Sequence, residues 1–337
     1  MLGSISILYT QGADFVVGNI CYNIISQADL TCEVTSNPNL YQGNIEIPEF
    51  VDYGNKTYKV VAIGDHAFNE RSYKRSELES IIIPNSVIRI GQSAFYCCGG
   101  LLSIDLPNSL EIIDNNAFAE CLNLKSIEIP NSVKQIGSWA FHNCYMLQEF
   151  IISDGPERLE ISRLALKNAG YHWSLYIGRS ITNTDNAQLS VDPQILKIAD
   201  SVNIGDLMTE IGTRNLEELI VGKGVMEFPT DISTFSNLSR LYVGDTDPPI
   251  CPFATSKQYQ TITVSVPAGT IDIYKNTDGW RNFINLFEED KDAVTELGVD
   301  DLKYRLYDIQ GKMVNMEYRG LLIKRTITGK TVKSYRK

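Results

Sequence analysis

A tandem repeat constrains the fold of this chain more than any other feature. Three consecutive segments of 23 residues align without a gap, and they begin at Leu78, Leu101 and Leu124. They read LESIIIPNSVIRIGQSAFYCCGG, LLSIDLPNSLEIIDNNAFAECLN and LKSIEIPNSVKQIGSWAFHNCYM, and Leu147 opens a fourth segment. Repeats of this length are typical of solenoids, in which each unit buries its apolar side against the neighbouring units. The repeat therefore predicts a stack of short, similar turns of chain.

Each part of the repeat unit has a physical role. Alternating apolar residues such as Ile127 and Ile129 predict a short strand with one buried face. The strand should end at the proline that follows, because proline has no N–H for a ladder hydrogen bond. A phenylalanine recurs at one place in the second half of the unit, at Phe95, Phe118 and Phe141. We therefore expect these three rings to stack through the core.

Weaker copies of the unit extend the solenoid in both directions. Ile63-Gly64 with Ala67-Phe68 repeats the second half of the unit upstream. Downstream strand-like pieces are SLYIGRSI from Ser174, LEELIVG from Leu216, LSRLYVG from Leu238 and TITVSVPAG from Thr261. The register is lost between residues 154 and 215, where we expect irregular repeats.

Both ends of a solenoid need covers, because the terminal units expose apolar edges. Residues 20–36, ICYNIISQADLTCEVTS, and the later KTYKVVAIG predict β-hairpins at the N-terminal end. Near the other end, Trp280, Phe283 and Phe287 follow approximately helical spacing and are candidates to cover the last unit.

The predicted fold class is an α+β repeat solenoid with leucine-rich repeats of about 23 residues and one short strand in each. A β-hairpin N-terminal cap and a small C-terminal β segment complete it. We divide the chain into a β cap at 1–60, a solenoid with a C-terminal helical cap at 61–290, an acidic linker at 291–302 and a basic β-rich segment at 303–337.

The IPNSVxxIGxxAFxxC pattern of these units resembles the BspA-like leucine-rich repeats of bacterial surface proteins of Bacteroidetes type. The resemblance is strongest over residues 60–150. It implies an exported, non-catalytic protein whose relatives include adhesins that bind host matrix proteins or other cells. From this we expect an extracellular or outer-cell-surface location.

The last 35 residues differ in charge from the rest of the chain. From Lys303 to Lys337 there are 10 Lys plus Arg and 2 Asp plus Glu, a net charge of +8. The preceding 302 residues carry 20 against 39, a net charge of −19. The pattern resembles part of the C-terminal sorting segment of type IX secretion substrates. A small β appendage with solvated lysines is the alternative.

Composition excludes several classes of protein. The formal net charge of −11 opposes the attraction to phosphate that nucleic-acid binding requires, so we predict no nucleic-acid partner. No apolar run approaches the roughly 20 residues of a membrane span. The segment from Met1 to Phe15 lacks the basic n-region of a signal peptide, and we interpret it as a mature or trimmed N-terminus.

Cysteine and histidine positions give little sign of a metal site or a catalytic centre. Cys98, Cys121 and Cys144 share one repeat position, where small buried side chains are a better interpretation than zinc ligands. A disulfide between Cys21 and Cys32 would need a Ser26-Gln27 turn, which is poor turn chemistry. There is no HExxH, GxSxG or phosphate-binding loop, so we predict no cofactor, no metal and no catalytic residue.

The candidate ligand-binding residues are the outward-facing positions of the predicted strands, a surface we call the strand face. One column of this face holds Ser80, Ser103, Ser126 and Glu149, and the next holds Ile82, Asp105, Glu128 and Ile151. Ile220 and Tyr242 add further apolar groups on later strands. We expect these side chains to be exposed, which favours a protein partner.

These observations lead to a hypothesis of a non-catalytic, adhesin-like binding protein. Its strand face would bind a host extracellular-matrix or cell-surface protein or a glycan. The alternative is a structural module for self-association at the cell surface. A glycan-acting hydrolase built on Asp105 and Glu128 is less favoured, because water on an open face should keep their pKa values ordinary. The sequence leaves the oligomeric state open.

Overall fold

A computed structural model describes residues 12–69, 78–170, 173–183, 191–203, 215–225 and 231–289, together with the backbone of three strands between Tyr304 and Arg336. Across these residues the chain forms a β-solenoid with very little helix. Its successive turns, which we call rungs, stack to form two long sheets with a hydrophobic core between them.

The first strands build the N-terminal end and the repeat region. They are β1 Phe15–Val17, β2 Ile20–Ser26, β3 Thr31–Thr35, β4 Gly43–Glu46, β5 Phe50–Tyr53, β6 Lys56–Ile63, β7 Leu78–Ile82, β8 Arg89–Ile90, β9 Ile112–Ile113, β10 Ser126–Ile129, β11 Gln135–Ile136, β12 Glu149–Ile152 and β13 Leu159–Ile161. The later elements are β14 Ser174–Ile177, β15 Ile181–Asn183, β16 Ile195–Ile198, β17 Glu218–Val221, β18 Arg240–Val243, α1 Ser256–Thr261, β19 Thr263–Pro267, α2 Ile271–Asn276, a 3₁₀ turn at Trp280–Asn282, β20 Asn285–Glu289, β21 Tyr304–Tyr307, β22 Gly320–Thr326 and β23 Thr331–Arg336.

The front sheet carries the strand face. It has eight parallel strands in the order β10-β12-β14-β16-β17-β18-β19-β20. The strands predicted near Ser174, Leu216, Leu238 and Thr261 are therefore confirmed, and β16 adds one that lies in the irregular region. At the N-terminal end, β4 and β7 form a separate two-stranded parallel sheet.

The back sheet was not predicted from the repeat. Each strong unit also contributes a second strand of two residues, as in β8, β9 and β11, and these strands pair in parallel. They join a ten-stranded sheet that includes the N-terminal hairpins and ends at β15. The expectation of one strand per repeat is wrong, and the small helical content does not confirm an α+β class. Strands of two residues are too short to show an alternating pattern in sequence.

A stack of phenylalanine rings runs through the core, as predicted. Phe68, Phe95, Phe118 and Phe141 lie nearly parallel, with successive centroids 5.0, 5.0 and 5.2 Å apart. The stack ends where the ring of Phe150 meets that of Phe141 edge-on at 5.1 Å. Each ring is buried, so the stack joins consecutive rungs into one continuous core.

The isoleucine-glycine pair of the repeat has a steric cause. A Cβ added to Gly137 would lie 2.5 Å from the backbone nitrogen of Asn115 on the preceding rung. A Cβ added to Gly91 would lie 2.8 Å from the backbone nitrogen of Asp65. Backbones of successive rungs therefore approach closely at the Gly91 and Gly137 corners, whereas the middle unit holds Asp114 at the same position.

The N-terminal hairpins are confirmed. β2 and β3 pair in antiparallel fashion around residues 27–30, and β5 pairs with β6 across Gly54-Asn55. Cys21 lies opposite Thr35, and Cys32 lies opposite Ile24, so the two cysteines are not cross-strand partners. No disulfide links them.

The C-terminal end of the solenoid differs in part from prediction. Trp280 and Phe283 are buried beneath the last rungs, as expected, and Trp280 donates from Nε1 to the carbonyl of Pro249 at 2.8 Å. Phe287, however, is 52% exposed, because it lies on the outward side of β20 and not on a helix. Phe287 therefore does not cover the last rung.

Three antiparallel strands, β21, β22 and β23, form a small sheet after the solenoid. The acidic linker predicted at 291–302 lies outside the described residues. The division of the chain into four domains stays a prediction.

Candidate functional site: the strand face

The register of the front sheet places the predicted site residues in columns. Ser103 is bridged to Ser126, and Ser126 lies opposite Glu149. In the second column, Glu128 lies opposite Ile151, and this column continues through Tyr176, Lys197, Ile220 and Tyr242. From Ser126 and Glu128 onward the two columns are adjacent lines in the front sheet, whereas Ser80 and Ile82 lie on β7 in a separate sheet.

The exposure of these positions is not uniform. Ile82 is 61% exposed, and Ser80 and Asp105 are exposed as well. By contrast, Ile151 is 6% exposed and Ile220 is 7% exposed, while Ser126, Glu128, Glu149 and Tyr242 are half-buried. The expectation that Ile151 and Ile220 present apolar groups to a partner is wrong. Long side chains in the same column, such as Tyr176 and Lys197, lie at strand spacing and cover much of one another.

The exposed part of the face coincides with an interruption of the sheet. Residues 101–106 form no strand, and their link to β10 is a single bridge between Ser103 and Ser126. β7 pairs with β4 on its other side. Leu102 is 52% exposed at the interruption. The accessible positions are therefore Ile82 and Ser80 on β7 and Leu102 and Asp105 on the next unit, with Ser103 half-buried between the latter two.

The centre of the face carries a cluster of charged and polar groups. The hydroxyl of Ser153 donates to Oε1 of Glu128 at 2.8 Å, and the hydroxyl of Tyr176 donates to Oδ1 of Asp154. Burial raises the pKa of Glu128. Burial also raises the pKa of Glu149 to about 7, with Lys197 lowering it and Glu128 raising it further. The expectation of ordinary pKa values is therefore wrong for Glu128, because the closed centre of the face excludes water.

The described residues contain no group of three or more His, Cys, Asp or Glu side chains placed to hold a metal ion. His66 and His142 lie in the turns of the repeat, away from these carboxylates. His172 lies outside the described residues. Cys98, Cys121 and Cys144 are buried, and their thiols donate to the carbonyls of Phe68, Phe95 and Phe118, so they act as core residues.

A third side of the solenoid, which we call the turn side, runs through the Ala-Phe segments. Its rungs are joined by backbone bonds such as Phe118 N to Ala140 O at 2.7 Å. Two positions of each turn adopt a left-handed backbone. One is shared by His66, Ser93, Asn116, Trp139 and Leu164, and the other by Cys97, Glu120, Asn143 and Asn168. Sequence analysis missed these positions, although the Ser and Asn residues among them are a signal for such turns.

Comparison with known proteins identifies the repeats. Residues 57–190 match the BspA type leucine rich repeat region in six copies. The chain belongs to the BspA-type leucine-rich repeat family. No curated protein matches the chain.

Several solved leucine-rich repeat structures are similar to this BspA-type chain. A leucine-rich repeat protein from Bacteroides capillosus is 30% identical over 41% of this chain and 96% of its own, with a TM-score of 0.35. One from Bacteroides ovatus is 20% identical over 83% and 91%, with a TM-score of 0.39. A leucine rich cell surface protein from Faecalibacterium prausnitzii is 16% identical over 82% and 94%, with a TM-score of 0.35.

The BspA-type match ends at residue 190, but the rungs continue through β16 to β20. These later rungs keep the buried strand, and the sequence from 191 to 289 contains no Ala-Phe pair. No helix in the described part of the chain has the length and apolar character that a bilayer crossing requires.

Proposed function

We propose that this BspA-type protein is a non-catalytic, adhesin-like binding protein that acts outside the cell or on its surface. Its ligand would be a host extracellular-matrix or cell-surface protein or a glycan. The accessible part of the strand face, formed by Ser80, Ile82, Ser103 and Asp105 with Leu102, would contact the ligand. The observation that carries the proposal is the exposure of Ile82 and Leu102 on consecutive repeat units that also expose Ser80 and Asp105.

This surface has the composition of a modest protein-binding patch. Ile82 and Leu102 are 61% and 52% exposed, so a partner that covers them removes apolar area from water. Asp105 and the two serines supply polar contacts at the border of the patch, as in protein interfaces generally. The rigid stack of rungs holds these groups in place before the ligand arrives, which reduces the entropy lost on binding.

The centre of the strand face supports a different role. Glu128 is partly shielded and accepts from Ser153, and Glu149 is partly shielded within electrostatic range of Lys197. We infer that these two carboxylates shape the face and do not cleave a substrate. Hydrolysis would need two carboxylates on either side of an accessible bond. Asp105 is exposed, whereas Glu128 is half-buried, so the two acids do not share one environment.

A binding assay on immobilised collagen, laminin and fibronectin tests the proposal. The variant Ile82→Ser with Asp105→Ala removes one apolar and one acidic group from the accessible patch. The matched control is Ile88→Ser with Glu160→Ala, which removes the same kinds of group from exposed positions off the strand face. We expect binding to fall in the first variant and to be retained in the control. Equal binding by both variants would refute the proposed face.

A further inference from the structure

The turn side carries a cluster of side chains that the strand face does not use. Trp139 is half-buried, and the ring of His142 lies perpendicular to its ring, with centroids 4.6 Å apart and planes at 89°. Nζ of Lys167 lies over the ring at 5.5 Å from its centroid. We call these residues, with the neighbouring Glu120, Asn143 and Asn168, the turn-side cluster.

Trp139 is an unusual residue for its position. It adopts a φ of 63°, and the same position on the two preceding rungs is held by Ser93 and Asn116 at φ of 53° and 57°. Asparagine tolerates the left-handed region far better than a bulky aromatic residue does. Burial does not account for the substitution, because Trp139 is partly exposed while Trp173 and Trp280 are 2% and 0% exposed.

A line of polar side chains includes Asn143 and Asn168, which directly follow His142 and Lys167 in the chain. Nδ2 of Asn143 donates to Oε1 of Glu120 at 2.5 Å, and Nδ2 of Asn168 donates to Oδ1 of Asn143 at 2.8 Å. An amide can make four hydrogen bonds, and Asn168 is exposed at the end of this line. The line therefore offers preoriented donors and acceptors on the same turns as the residues that contact a partly exposed aromatic ring.

We propose that the turn-side cluster binds an uncharged glycan, with a pyranose ring stacked on Trp139 and sugar hydroxyls bonded to Asn143 and Asn168. The C–H face of a pyranose is apolar and packs on aromatic rings. Its hydroxyls form hydrogen bonds with polar groups such as side-chain amides. Trp139 and the two amides supply both kinds of contact. The opposite charges of Glu120 and Lys167 offset one another, which favours a ligand without charge. This site is separate from the strand face.

Tryptophan fluorescence and calorimetry test this site with the full chain. Trp139 is the most exposed of the three tryptophans, so solvent quenching by acrylamide reports chiefly on its ring. Chitohexaose and cellohexaose are the probes, because their β-linked units present flat faces. We expect at least one of them to protect Trp139 from quenching and to bind in isothermal titration calorimetry.

Three variants separate a binding role from a structural one. Trp139→Asn introduces the residue type that the preceding rung has at the same left-handed position, Asn116, so the variant should fold. It removes the aromatic face, so it should weaken binding at least about tenfold. Trp139→Phe keeps an aromatic face and should retain part of the affinity even if Trp139→Asn proves unstable. Glu160→Ala, at an exposed position on β13 in the back sheet, should bind as the wild type does. Absence of binding by both oligosaccharides, or equal affinity in a folded Trp139→Asn variant, would overturn the proposal.

Discussion

The ring of Phe118 lies 5.0 Å from that of Phe95, with the two planes only 5° apart, although 22 residues separate them in the chain. Phe141 continues the stack on the other side of Phe118. Each phenylalanine thus contacts its copies on the adjacent rungs, and the repeat in the sequence becomes a continuous contact in the core.

Phe118→Ala should destabilise the protein strongly, because it removes the middle ring of the stack and leaves a cavity between two rungs. We expect a loss of about 3–5 kcal/mol in the free energy of unfolding, measured by urea denaturation. The control is Phe287→Ala, which truncates a ring that is 52% exposed and should cost far less. Similar losses for the two variants would contradict a structural role for the stack.

The Phe95 and Phe118 rings were predictable because the repeat provides both partners of each contact. A residue that recurs at the same position in all three units lies against its own copies, whatever the backbone conformation of the turns. The same reasoning placed Cys121 in the interior, where its thiol donates to the carbonyl of Phe95. Because each unit lies directly on the next, contacts in the core are easier to predict from the repeat than the exposure of surface residues.

The closure of the strand face around Ile151 was not predictable in this way. Alternation along a strand shows which side a residue faces, but not how far neighbouring side chains cover it. Tyr176 and Lys197, which follow Ile151 in its column, come from the region where the repeat loses its register. The left-handed turn at Trp139 was missed for a related reason, because a backbone conformation favoured by asparagine is not expected of tryptophan.

Gly137→Ala should destabilise the solenoid at one corner. The new Cβ would lie 2.5 Å from the backbone nitrogen of Asn115, which cannot move without shifting a rung. We expect a loss of about 1–3 kcal/mol, typical of overpacking, visible as a lower thermal midpoint. Ser138→Ala, at the next residue, adds no atom and serves as the control. An unchanged midpoint in Gly137→Ala would show that the rungs separate more easily than the packing indicates.

Glu149 should make stability depend on pH. Burial raises its pKa from 4.5 to about 7 in the folded chain. Between these values the folded chain holds a proton that the unfolded chain has released, so stability falls as pH rises through this window and is constant above it. Glu149→Gln should remove a decrease on the order of 1–3 kcal/mol.

Urea unfolding of both chains below and above this pH window measures the effect of Glu149. The difference between wild type and Glu149→Gln isolates this residue, because Glu33 and Glu128 also have raised pKa values in both chains. Glu79→Gln, at an exposed position on β7, is the control. A pH profile that Glu149→Gln leaves unchanged would show that the carboxyl is ionised at ordinary pH.

The seven cysteines, none of which forms a disulfide, should differ sharply in reactivity. Cys98, Cys121 and Cys144 are fully buried, and burial raises the pKa of Cys144 to about 12, so little reactive thiolate forms. Cys97 and Cys251 are only half-buried, but burial still raises the pKa of Cys251 to about 12.

We expect Ellman's reagent to react readily with Cys97 in the native protein and with all seven thiols after denaturation. Peptide mapping identifies the modified residue, and Cys97→Ala should abolish the fast phase. Rapid labelling of Cys121 would show that the rungs open on the timescale of the reaction.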